Sequence, residues 1–106
     1  MSSEFDYADM RRKVDWDLAK KELGYEDGSP INLAHYCVDR NVDRGLGDKP
    51  ALVHENHAGD VRTFSYLELK RLTNGWARFL TGHGVREMDR VALFLDRVPE
   101  LYVGFM

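Results

Sequence analysis

The chain has 106 residues, 43% of them apolar and 31% charged, and a formal net charge of −3. That is ordinary material for one small globular domain or a part of a larger one, and the scattered Lys and Arg residues favour no polyanion such as nucleic acid. Cys37 is the one cysteine, which excludes an intrachain disulfide and suits a reducing compartment. The start, Met1 to Tyr7, is acidic and polar, so it is no secretion signal. No apolar run approaches the ~20 residues of a membrane helix. A cytoplasmic setting is expected, with neither nucleic acid nor membrane as partner.

Residues 4 to 23 form a charged amphipathic stretch. Met10, Val14 and Leu18, with Trp16 and Leu23, are expected to make one apolar stripe of a helical arm lying on a larger body. Gly24 to Pro30 is a connection rich in Gly, Asp and Ser. A second helix follows, with Ser29 or Asn32 as its N-cap and apolar positions at Ile31, Ala34, Cys37 or Val38, and Val42. Gly45, Gly47 and Pro50 end it.

Ala51 to Glu55 and Val61 to Phe64 are short β-prone runs joined by Asn56-His57-Ala58-Gly59-Asp60. This reads as a hairpin in which Gly59 takes positive φ. Ser65-Tyr66-Leu67-Glu68 is a capping box, the clearest local signal in the chain. The helix it opens carries Leu69, Leu72, Trp76 and Leu80 near one face, and Gly82 or Gly84 closes it in the left-handed conformation. Arg90-Val91-Ala92-Leu93-Phe94-Leu95 is apolar enough for a strand covered on both faces, as in a parallel sheet. Asp96-Arg97-Val98 is a turn, and Pro99 starts the next helix with Glu100 in its first turn. That helix reaches Phe105 and Met106 without a stop signal, so the chain is expected to stop inside a larger fold. Strand, helix, strand, helix is the opening of a wound α/β layer.

Few residue groupings carry chemistry. Of His35, His54, His57 and His83, only His54 and His57 are close in sequence, and no third ligand stands at a recognised metal spacing. Cys37 and His35 are two apart on a helix, so their side chains diverge, and Cys37 reads as a small buried filler. Glu26 and Asp27 lie in a polar loop with nothing to raise a carboxylate pKa. Trp76, Phe79, Phe94 and Tyr102 read as core aromatics, since no basic residues interleave with them to make a stacking platform. Arg97 sits at the C-terminal end of the expected strand, where α/β folds place ligands. An ion pair with Asp96, with Glu100 or with a part of the protein beyond this chain is the plainer role for it.

Several segments together resemble one family. Ile31-Asn32-Leu33-Ala34 with Val38-Asp39-Arg40-Asn41 is similar to the "N-x-A … D-R-x" opening of acetyl-CoA synthetase-type ligases. Gly47-Asp48-Lys49-Pro50-Ala51-Leu52 resembles their "D-K-x-A-L" strand, and Thr63 to Leu69 their "T-Y-x-E-L" helix start. Asn74 stands where they carry the Asn of "S-N-R-x-A". Gly84-Val85 and Asp89-Arg90-Val91-Ala92 resemble "G-V-x-x-G-D-R-V". Arg97-Val98-Pro99-Glu100-Leu101-Tyr102 resembles "R-x-P-E-L-Y", which points to the acetyl and short-chain branch. One departure is Met88, which stands where the family has Gly before the Asp. Met there implies a turn with negative φ, or a slightly strained one.

This resemblance implies an α/β fold: the N-terminal portion of the large domain of an AMP-forming, adenylate-forming ligase. It would comprise helical arm, β-hairpin, helix, buried parallel-type strand and the start of a next helix, incomplete at residue 106. Residues 1–30 would be the arm, and residues 31–106 the start of the AMP-binding domain. The family joins ATP and a small carboxylic acid, with Mg²⁺, into an acyl-adenylate and pyrophosphate, then passes the acyl group to coenzyme A. Its chemistry needs a Gly/Ser/Thr-rich loop that cradles the triphosphate. Gly45-Leu46-Gly47-Asp48-Lys49-Pro50 is the nearest candidate, and it reads as a helix stop before an edge strand. No catalytic, cofactor-binding or metal residue is therefore expected within the chain. ATP, Mg²⁺ and CoA are expected to need the remainder of the ligase domain, the chain's natural partner. The alternative is a free-standing interaction module on the same scaffold without catalysis.

Overall fold

The computed structural model describes residues 6–106. The chain divides after Ile31 into two units, which are taken separately.

In the first unit the expected single stripe is two short helices, α1 (Tyr7–Lys13) and α2 (Trp16–Leu23). Residues 4 and 5 of that stretch lie outside the described residues. The break comes from capping chemistry. The Asp6 carboxylate accepts from the N–H groups of Ala8 and Asp9, and the Asp15 carboxylate accepts from Asp17 N–H at 3.2 Å. An Asp flanking a helix competes for backbone donors that continuation would use, so Asp15 starts a new helix after Val14 turns extended. α2 ends on Gly24 at φ 70°, with Tyr25 N–H reaching Lys20 O and Gly24 N–H reaching Lys21 O. This is the paired hydrogen-bond pattern of a left-handed glycine stop. Neither helix buries a residue.

The second unit begins with a helix of π-type turns, His35–Asp39 and Val42–Leu46. Of the two expected caps Asn32 is used: its side-chain oxygen accepts from His35 N–H at 3.1 Å. The helix presents Val38 inward, 1% exposed, and Cys37 outward, so Cys37 is no buried filler. Gly45 at φ 83° breaks the run, as its position suggested.

The hairpin forms as expected. Strands β1 (Pro50–Glu55) and β2 (Val61–Ser65) pair antiparallel, with Leu52 opposite Phe64 and His54 opposite Arg62. Between Pro50 and Leu52 the register slips by one, so Ala51 is an extra residue on β1. The turn holds Gly59 at φ 88°, and the Asn56 side chain bonds Asp60 through both its amide nitrogen and its oxygen.

Helix α3 (Tyr66–Gly82) is the spine of this unit. Its capping box is complete: Ser65 Oγ accepts from Glu68 N–H, and the Glu68 carboxylate accepts from Ser65 N–H at 2.7 Å. Gly84, at φ 86°, closes it, with Val85 N–H on Leu80 O and Gly84 N–H on Thr81 O. Its one buried residue is Thr73, whose hydroxyl returns its proton to the carbonyls of Leu69 and Lys70. A buried hydroxyl satisfied within its own helix leaves no unpaired polar group to disfavour packing. Helix α4 (Pro99–Phe105) starts with Pro99, as expected, and Pro99 is buried.

Two expectations about the core change. Residues 90–95 form no strand: among the described residues the sheet consists of β1 and β2 alone. Phe94 is 104% exposed, so this segment is not covered on both faces. Phe79 and Tyr102 are also exposed, and Trp76 is half-buried. Apolar patterning marks a face that wants burial, and the described residues do not supply the cover.

Candidate functional site

The nearest approach to a phosphate loop is the Gly45–Pro50 segment leading into β1 and packing on the start of α3. The free N–H groups of a helix's first turn are what bind an anion. Here they are taken. Tyr66 N–H donates to Lys49 O at 3.1 Å, Leu67 N–H donates to Gly47 O at 2.9 Å, and Glu68 N–H donates to Ser65 Oγ. The Gly-containing segment therefore offers carbonyl oxygens where a triphosphate would require donors. It stops one helix, as expected, and its carbonyls also cap the next, which was not expected.

Arg97 lines neither of the clefts described below. Its backbone carbonyl accepts from His54 Nε2 at 3.1 Å, across 43 residues of sequence. A carbonyl only accepts, so the His54 proton is on Nε2, and Nδ1 is buried without a partner. Glu100, one of the partners considered for Arg97, lies instead 3.7 Å from Arg62 Nη1. The Arg62 guanidinium also sits over the Phe64 ring, 5.0 Å from its centroid. These links join the hairpin to the turn before α4, and nothing in their sequence spacing pointed to them.

The other singled-out residues are dispersed. His83 caps α3, its Nδ1 donating to Phe79 O at 2.8 Å, and its ring lies 4.1 Å from that of Phe79. His35 packs edge-on to Tyr36. His57 lies in the hairpin turn. Asp27 pairs with Lys20 at 2.7 Å, within the first unit. Among the described residues no three His, Cys, Asp or Glu side chains come together to hold a metal ion.

An apolar cleft of about 320 Å³ lies between β2, α3, the 91–98 segment and α4. Phe64, Leu72, Trp76, Leu93, Leu95 and Pro99 line it, and Arg62 and Glu100 add its charged part. A smaller space of about 110 Å³ lies beside Val38, between Leu52, Leu69, Thr73 and Tyr102. Neither holds a nucleophile with a base in reach. Their chemistry is that of packing surfaces.

A family model described as AMP-binding enzyme matches residues 38–106. The chain belongs to the AMP-binding enzyme family. Among curated relatives it is 39% identical over 93 residues to an acetyl-coenzyme A synthetase of Streptomyces avermitilis, covering 88% of this chain and 14% of that protein. It is 38% identical over 98 residues to one of Deinococcus radiodurans, covering 92% of this chain and 15% of that one. A relative of the same description in Rubrobacter xylanophilus is 34% identical over 109 residues, covering 94% and 17%. The chain thus spans about a seventh of the length of these relatives, and it corresponds to their N-terminal region. The resemblance drawn from its motifs is that of a true relative. No helix among the described residues is long and apolar enough to cross a membrane.

Proposed function

We propose that the chain is the opening scaffold of an acetate or short-chain acyl-CoA ligase. The whole protein would convert ATP, a small carboxylic acid and CoA into acyl-CoA, AMP and pyrophosphate, with Mg²⁺ on the triphosphate. Residues 1–30 would serve as an N-terminal arm, and residues 31–106 as the start of the AMP-binding domain. The observation that carries this reading is the family match over residues 38–106, combined with an open apolar cleft on the second unit. In this reading the remainder of the ligase domain covers that cleft. It also supplies neighbours for residues 91–95, which then become the buried parallel strand their composition asks for. The Gly45–Pro50 segment makes a poor triphosphate cradle, because the first-turn donors of α3 beside it are already occupied. ATP and CoA would therefore be gripped elsewhere in the protein. The one cysteine, Cys37, supports a cytoplasmic setting.

Two measurements test this. The 106-residue chain is expected to show no acetate-dependent ATP–pyrophosphate exchange. Residues 31–106, exchanged for the aligned segment of the Streptomyces avermitilis enzyme, are expected to give a chimera that makes acetyl-CoA. A chimera that folds with native-like cooperativity yet makes no acyl-adenylate from any short carboxylic acid would overturn the proposal. Exchange activity by the 106-residue chain would overturn the claim that its residues are scaffold.

A further inference from the structure

No further inference is drawn: the strongest candidate, the apolar cleft of about 320 Å³ between β2, α3, the 91–98 segment and α4, belongs to the surface already assigned to the rest of the ligase domain, and nothing in the structure shows any other occupant.

Discussion

His54 Nε2–H donates to the backbone carbonyl of Arg97 at 3.1 Å, and this bond ties β1 to the turn that starts α4. The two residues are 43 positions apart, so the contact closes a long loop of the second unit. With Arg62 and Glu100 it holds the α4 turn against the hairpin.

The bond has a measurable consequence. His54→Ala removes the donor and leaves the Arg97 carbonyl to water. A single hydrogen bond of this kind contributes about 1 kcal/mol. Hydrogen exchange at Val98 and Leu101 is expected to quicken about fivefold, with the cross-strand amides of β1 and β2 little changed. Equal exchange at Val98 in the two proteins would mean that the His54–Arg97 contact does not form.

Met88 is the only described non-glycine residue at positive φ, 71°. Arg86 O accepts from Asp89 N–H at 3.1 Å, and the Asp89 carboxylate accepts from Arg86 N–H, so Met88 is the third residue of a tight turn. That position favours glycine. The left-handed conformation costs a residue with a Cβ roughly 1–2 kcal/mol, and glycine's extra chain entropy returns about 0.5–1 of it. The side chain is 92% exposed, so little burial is lost with it. Met88→Gly is expected to raise stability by about 0.5–1 kcal/mol in urea titration, and Met88→Ala to leave it unchanged. Equal midpoints for the two variants would show that the turn is unstrained.

Gly104 in α4 faces Leu93. A Cβ at position 104 would lie 3.0 and 3.2 Å from the two Leu93 δ-carbons. Alanine in a helix is favoured over glycine by up to about 1 kcal/mol, while forced overpacking costs about 1–3. The nearest atoms belong to the flexible end of a side chain, so the two effects nearly balance. Gly104→Ala is expected to destabilise by at most about 1 kcal/mol, and to become stabilising once Leu93→Ala opens the space. A double-mutant cycle reads this coupling directly. Additive effects would separate α4 from the 91–95 segment.

The Lys20–Asp27 pair makes a pH-dependent prediction. The hydrogen bond from Lys20 to Asp27, and then the charge of that carboxylate, hold the Lys20 pKa above its ordinary value. A raised folded-state pKa means that the pair's contribution is whole below the unfolded lysine value of about 10.4. The contribution fades as pH climbs through the folded value. Both side chains are substantially exposed, so salt weakens the effect. In an NMR titration of the Lys20 ammonium, Asp27→Asn is expected to lower the midpoint. An unmoved midpoint would mean the two side chains are apart in solution.

How legible the fold was depended on the range of each interaction. The capping box at Ser65 and Glu68, the left-handed Gly59 and Gly84, the Asn32 cap and the Pro99 helix start could all be read from residues within a few positions of one another. Asp15 is an equally local cap, but the apolar spacing across it mimics a continuous helix and masks the break. The role of Gly45 to Pro50 was legible too, although the carbonyls that occupy the α3 N-terminus became visible only once that segment and α3 were packed together.

Backbone conformation followed from the sequence alone wherever a side chain acts on its own neighbours: at caps, at glycine stops and in the hairpin turn. Family membership was legible as well, because motif order survives without coordinates. Packing settled the rest. Whether Val91 to Leu95 becomes a strand depends on a hydrogen-bonding neighbour, and whether Phe94 or Phe79 is buried depends on what covers it. The partners of His54 and Arg62 come from distant positions in the chain, and contacts of that range leave no periodicity to read.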